Sequence, residues 1–199
     1  MQTKLPESPE ETIDFLKSYG ALEEGHFLLA SGRHSGHYVK KGLLVQHPFQ
    51  VQKMIEQRLE ALGALGQIDV VLSPAVGGIP VGQQVGLALG VRTIYAERSR
   101  ENALALKRGF QILPGERVLM VEDVITTGGT LVELKDFVKD EGGEIAGVFV
   151  LVNRSGLKNW QGWPLVSCME VQFPTYEEGE LPEELGSLPV VRPGTKKVG

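Results

Sequence analysis

The chain has 199 residues, 42% of them hydrophobic and 23% charged, the balance of a soluble globular protein with one domain, 1–199, and a substantial core. Its net charge of -5 argues against a nucleic-acid binder, which presents a basic face, and a single cysteine, Cys168, excludes an internal disulfide and a cysteine metal cluster. "MQTKLPESPEET" lacks the apolar stretch of a signal peptide and no run is long and apolar enough to span a bilayer, so we expect a cytoplasmic protein without membrane partners.

Ser8, Pro9 and Glu11 read as N-cap, first helical residue and capping-box acid of a helix that turns Ile13, Leu16 and Tyr19 to the core. "HFLLASGRHSGHYVKKGLLV" reads as two short strands around the loop "ASGRHSGH". Pro48 opens a helix to Leu62 with Val51, Ile55, Leu59 and Leu62 on one stripe. "IDVVLSPAVGGIPVG" is an apolar strand breaking into a Pro/Gly loop, "VGQQVGLALG" a helix stopped by Gly90, and "VRTIYAE" the next strand. "RSRENALALKRGFQILPG" is a charged connection that can form a hairpin. Then come the apolar run Val118–Val121, the acids Glu122 and Asp123, a Thr-Thr-Gly-Gly turn, and a helix with Leu131, Leu134 and Val138 on one face that Gly142 and Gly143 stop. "AGVFVLVNRSG" is a further buried strand, and Trp160, Gly162 and Pro164 mark a turn before the strand "LVSCMEV". The remaining tail reads as irregular.

Short, continuously apolar strands alternating with helices predict an α/β fold: a parallel doubly wound sheet covered on both faces, with a small hood subdomain appended from the N-terminal segments and the tail. In such sheets ligands sit beyond the carboxyl ends of the strands, where both glycine-rich turns fall. No G-x-G-x-x-G follows a strand, and Gln83-Gln84 stand where a P-loop needs Lys and Ser/Thr. The threonine-glycine turn nevertheless suits phosphate: successive backbone N–H groups and a helix N-terminus attract an anion. Thr126, Thr127 and Thr130 add hydroxyls, and Gly128 and Gly129 allow close approach. Glu122 and Asp123 would repel that phosphate. They fit a diol beside it, or positive charge developing in a transition state, so a sugar phosphate satisfies both halves of the motif.

With those residues in view, "VLMVEDVITTGGT" resembles the phosphoribosyl-pyrophosphate signature of the type I phosphoribosyltransferases, and the chain is similar to the members that act on orotate. "GHFLLASGRHSGHYVKK" resembles their substrate segment, "SPAVGGIPVG" their pyrophosphate loop, "YAERSRENALALKRGF" their mobile basic loop, and "LVNRSG" the strand end whose arginine meets orotate. The resemblance implies that Glu122 and Asp123 bind the ribose hydroxyls and act at the reacting centre. It implies that Val124, Ile125, Thr126, Thr127, Gly128, Gly129 and Thr130 wrap the 5′-phosphate, and that Arg98 and the loop Ala75, Val76, Gly77 and Gly78 meet the diphosphate. Thr126 and Arg154 would contact orotate, and Arg100 and Lys107 would belong to the mobile loop. Mg2+ would bind mainly through diphosphate and ribose oxygens, with few direct protein ligands, and the working unit would be a homodimer. Some members carry a lysine where this chain has Gly77, and another where it has Ala30.

The implied reaction transfers a phosphoribosyl group to a ring nitrogen, with positioning and electrostatics as the protein's task. Two other readings use the same phosphate loop. One is a purine-type phosphoribosyltransferase, against which "SGRHSGHYVKK" and Arg154 argue. The other is a regulatory sensor of phosphoribosyl pyrophosphate, against which the short N-terminus and the negative charge argue.

Overall fold

The computed structural model describes residues 4–29, 31–99 and 103–193. In chain order the elements are α1 (Pro9–Ser18), β1 (Leu22–Leu28), β2 (His34–Val39), α2 (Lys41–Val45), α3 (Pro48–Glu56), α4 (Leu59–Gly63), β3 (Val70–Pro74) and α5 (Gly78–Leu89). There follow β4 (Arg92–Arg98), β5 (Leu104–Leu106), β6 (Arg117–Ile125), α6 (Gly129–Asp140), β7 (Glu144–Asn153), β8 (Asn159–Trp160), β9 (Trp163–Glu170), β10 (Thr175–Tyr176), α7 (Glu183–Gly186) and β11 (Val190–Val191).

The central sheet runs β5-β4-β3-β6-β7-β9-β8, its five inner strands parallel and its two edge strands antiparallel. All five residues of β3 are buried, as are Ala146–Asn153 of β7, which matches their unbroken apolar runs to strands covered on both sides. From β3 the chain crosses to β4 on one side, and it then returns to place β6 on the other side of β3. The boundary between β3 and β6 is therefore the topological switch point, and a ligand crevice opens beyond their carboxyl ends.

Strand alternation divides the core. Leu119 and Val121 join a cluster with Val51 and Ile55 of α3, Val81 and Val85 of α5, and Leu16, Val39 and Leu44 of the hood; Val118 and Met120 pack instead with Leu131, Leu134 and Val138 of α6. Gly78, Gly82 and Gly86, four residues apart, let α5 lie directly on β3 and β4. A β-carbon at Gly78 would come within 2.8 Å of Pro74 Cδ, and one at Gly82 within 2.8 Å of Ser73 Oγ. Helix α6 ends as expected: Gly142 takes a left-handed conformation, φ 81°, and the Gly142 and Gly143 N–H groups return to Lys139 and Val138 carbonyls.

The hood is a second sheet, β10-β2-β1-β11, built from the N-terminal segments and the tail. The tail is thus not irregular. It contributes two strands of two residues each, too short to leave a periodic signal, and α7 between them. Ser8 caps α1 by accepting from the Glu11 N–H at 3.2 Å, while Glu11 accepts from the Glu7 N–H at 2.9 Å. The buried face of α1 is Thr12, Phe15 and Leu16, with Ile13 only partly covered.

Other expectations need correction. The helix from Pro48 breaks at Gln57–Arg58, where the Arg58 N–H turns back to Ile55 O. Met54 shares the buried face of α3 with Val51 and Ile55, and beyond the break Leu62 is buried while Leu59 lies at the surface. "GLLV" is helical as part of α2, since a short apolar run does not distinguish strand from helix. Pro164 lies inside β9 rather than in the turn, where Gln161 and Gly162 adopt positive φ.

Candidate active site

The two glycine-rich turns lie side by side at the switch point. After β3, the segment 75–77 leads into α5, with Gly77 at its N-cap and the Ala75–Val76 peptide cis. After β6, Thr126 and Thr127 are exposed, Gly128 is left-handed with φ 78°, and α6 starts at Gly129. No side chain caps either helix and neither has an acidic residue in its first turn, which leaves N–H groups directed to the crevice. Gly128 also abuts Trp160: a β-carbon there would lie 2.6 Å from the indole Nε1.

Glu122 and Asp123 occupy alternating positions of β6, Glu122 in phase with Met120 and Asp123 with Val121. Asp123 is 1% exposed. Its Oδ1 accepts from the Val124 N–H at 2.7 Å and from Lys41 Nζ at 2.8 Å, and Oδ2 lies 2.7 Å from the same ammonium. Glu122 accepts from the Asp123 N–H at 3.0 Å. Burial, reinforced by the Asp123 charge, pushes the Glu122 carboxyl up to about 8. Burial opposes the charge on Lys41, but Asp123 overrides it and raises the lysine above its ordinary value.

The loop after β3 meets this pair. A β-carbon on Gly77 would overlap Asp123 Oδ2 and lie 3.1 Å from Lys41 Nζ. Lys41 escaped the sequence reading, although its type and position were visible in "HYVKK".

Arg154 follows β7, its N–H bonded to Ile125 O at 2.9 Å, so it is fixed beside the end of β6. Its guanidinium lies over the Phe173 ring, 5.1 Å from the centroid, and the other stacked partner of Phe173 is His37, 4.3 Å away at 12°. Arg154 Nε is buried and without a hydrogen-bond partner, and burial draws the guanidinium below its ordinary pKa. Phe173 was not anticipated, because only the fold brings the tail back to β2.

The remaining candidates are engaged elsewhere. Arg98 pairs with Glu133 of α6, one contact at 2.9 Å. Strands β4 and β5 form the expected hairpin, and in it Lys107 donates to Arg98 O at 3.1 Å. Arg100 lies outside the described residues, as does Ala30. His26 and His34 bond to each other at 2.7 Å inside the hood, and His47 packs on Tyr19. Cys168 is buried, which pushes its thiol up to about 12 and makes it an inert core residue.

Comparison with known proteins agrees with this geometry. The Phosphoribosyl transferase domain family matches residues 44–178. Over 189 residues the chain is 42% identical to an orotate phosphoribosyltransferase of Erythrobacter litoralis, covering 94% of this chain and 97% of that one. The chain belongs to the orotate phosphoribosyltransferase family. A relative of that name from Caldicellulosiruptor saccharolyticus is also 42% identical, with 95% and 98% covered. The crystal structure of orotate phosphoribosyltransferase from Aeropyrum pernix superposes with a TM-score of 0.66 at 26% identity, over 79% of this chain and 92% of that one. An adenine phosphoribosyltransferase from Thermoanaerobacter pseudethanolicus shares the fold, with a TM-score of 0.57 at 21% identity, over 67% and 88% of the two chains. Among the described residues no helix is long and apolar enough to cross a membrane.

Proposed function

We propose that the chain transfers the phosphoribosyl group of 5-phosphoribosyl 1-diphosphate to orotate, giving orotidine 5′-phosphate and diphosphate, a step of pyrimidine biosynthesis. The observation that supports an anionic base is Arg154. A half-buried arginine with a buried, unpaired Nε, held on an aromatic ring beside the threonine-glycine turn, suits a planar ring bearing a carboxylate. A neutral purine offers it no charge.

In this reading the backbone from Val124 to Gly129, with the hydroxyls of Thr126, Thr127 and Thr130, wraps the 5′-phosphate. Asp123 and Glu122 accept from the ribose hydroxyls, and the N–H groups of Val76, Gly77 and Gly78 face the diphosphate; that of Ala75, against expectation, is held by Ala96 O at 2.8 Å as a continuation of the β3–β4 ladder. Arg98 reaches the diphosphate by exchanging its Glu133 partner, and Thr126 and Arg154 hold orotate. The C1′–O bond to diphosphate breaks as the bond from C1′ to the ring nitrogen forms, and the proton that this nitrogen gives up leaves on the departing diphosphate or in water. Positive charge on the ribose ring is balanced by the nearby Asp123 carboxylate. The charge of orotate lies on its carboxylate, which Arg154 orients, and the released diphosphate is itself basic enough to take the ring N–H proton, so the protein supplies orientation rather than a strong base.

Among the described residues no three His, Cys, Asp or Glu side chains converge as a metal site, and both Asp123 oxygens face Lys41. This donor set suits Mg2+ carried on diphosphate and ribose oxygens, with Glu122 and Asp123 as the adjoining protein oxygens. When bound, the ion neutralises charge on the leaving diphosphate. The same reading carries a cytoplasmic homodimer in which the segment from Arg100 to Lys107 covers a site.

Titration calorimetry of products tests the base. Orotidine 5′-phosphate should bind and adenosine 5′-phosphate should bind far more weakly. Preference for the adenine nucleotide would overturn the assignment.

A further inference from the structure

The crevice has a charge problem that Lys41 resolves. The loop after β3 offers a diphosphate only backbone groups, and a lysine cannot be placed at Gly77, because its β-carbon would overlap Asp123 Oδ2. Among the described cations of the β4–β5 hairpin, Lys107 turns to Arg98 O and Arg108 to Glu97 at 2.7 Å, and Arg98 reaches a diphosphate only by leaving Glu133. Lys41, at the start of α2, comes from the hood, yet its ammonium stands 3.1 Å from the point where a Gly77 side chain would begin. Its side chain is 46% exposed while that of Asp123 is 1% exposed, so the lysine has room to move and the aspartate does not.

We infer that Lys41 supplies the diphosphate loop with its positive charge, bound to Asp123 in the free protein and transferred to the diphosphate when the substrate enters. The exchange is balanced. Ribose hydroxyls replace the ammonium on the Asp123 oxygens, and diphosphate oxygens replace Asp123 on the ammonium, so neither charge is left without a partner. A crevice holding the Asp123 carboxylate would otherwise repel the polyanion it must bind. The inference rests on the proposed function and adds one residue to it.

The test is calorimetric titration of the full chain and its Lys41→Met and Lys41→Arg variants with two probes, diphosphate with magnesium and ribose 5-phosphate. Lys41→Met should weaken diphosphate binding about ten- to hundredfold, the scale of a lost charge-assisted hydrogen bond. Ribose 5-phosphate should change by less than about threefold, and Lys41→Arg should recover most of the loss. Unchanged diphosphate binding overturns the inference, and so does equal weakening of both probes. The double variant Asp123→Asn/Lys41→Met leaves no orphaned carboxylate, and it should still bind diphosphate more weakly than Asp123→Asn alone. Turnover of orotate by a wild-type chain that shows no Lys41 effect would sink this inference only. A Lys41 effect on diphosphate in a chain inactive on orotate would sink the proposed function only.

Discussion

Asp123 occupies the space that a side chain on Gly77 would need: a β-carbon at residue 77 would overlap Asp123 Oδ2. The carboxylate of β6 and the bare backbone before α5 thus form one surface across the switch point. Gly77→Ala should displace the Asp123–Lys41 pair and cost about 1–3 kcal/mol, as overpacking a filled site does. At roughly 2–4 °C per kcal/mol for a chain of this size, the loss is measurable in a thermal melt. An alanine variant with the wild-type melting temperature and kcat/KM would contradict the packing.

Glu122 gives a pH signature. Its carboxyl is raised from 4.5 to about 8 in the fold. Below the lower value both folded and unfolded chains hold the proton. As the pH climbs toward the upper one the unfolded chain releases it and the folded chain keeps it, so stability falls through this window and then levels. Glu122→Gln cannot ionise and should lack that slope. Denaturant melts at about pH 5 and about pH 8.5 should show the variant gaining on the wild type at the higher pH. Parallel curves would mean that Glu122 is ionised throughout.

Arg154 separates binding from stability. Its Nε is buried without a partner, so Arg154→Met should not lower the melting temperature, because replacing poorly compensated buried charge with apolar volume is often neutral or better. The same change should raise KM for orotate by at least about 30-fold and leave KM for phosphoribosyl pyrophosphate nearly unchanged. Equal effects on both constants would make Arg154 structural.

Gly128 is constrained by its positive φ of 78° and by Trp160 Nε1 2.6 Å from a would-be β-carbon. Gly128→Ala should cost roughly 1–2 kcal/mol from backbone strain alone and weaken ribose 5-phosphate binding. In the wild type, ribose 5-phosphate should alter tryptophan fluorescence through Trp160. Unaltered emission on saturation would separate Trp160 from the phosphate turn.

What the sequence revealed follows from range. Strands β3 and β7 and the Val118–Val121 part of β6 read as apolar runs, and the helix stops at Gly90 and Gly142 are local chemistry, so the doubly wound sheet was legible. The turn between β6 and α6 was legible too, because its acids, threonines and glycines are consecutive. Lys41, Phe173 and Trp160 were not. Each reaches the crevice from a different segment, by packing that no local period encodes: Lys41 lies 82 residues from its Asp123 partner. The α3–α4 break was hidden because Leu59 fits a helical stripe in the sequence, whereas a turn at Arg58 rotates it outward. Gly77 showed only as a missing lysine until Asp123 was seen in its place.

The central claim is that this crevice joins a phosphoribosyl group to orotate. Its most direct test is steady-state turnover of the wild-type chain with phosphoribosyl pyrophosphate, Mg2+ and, in separate reactions, orotate, adenine and hypoxanthine, with the nucleotide product identified by chromatography. The account predicts orotidine 5′-phosphate from orotate and negligible nucleotide from either purine. Purine nucleotide formed at a higher kcat/KM, or no nucleotide from any of the three bases, would contradict it.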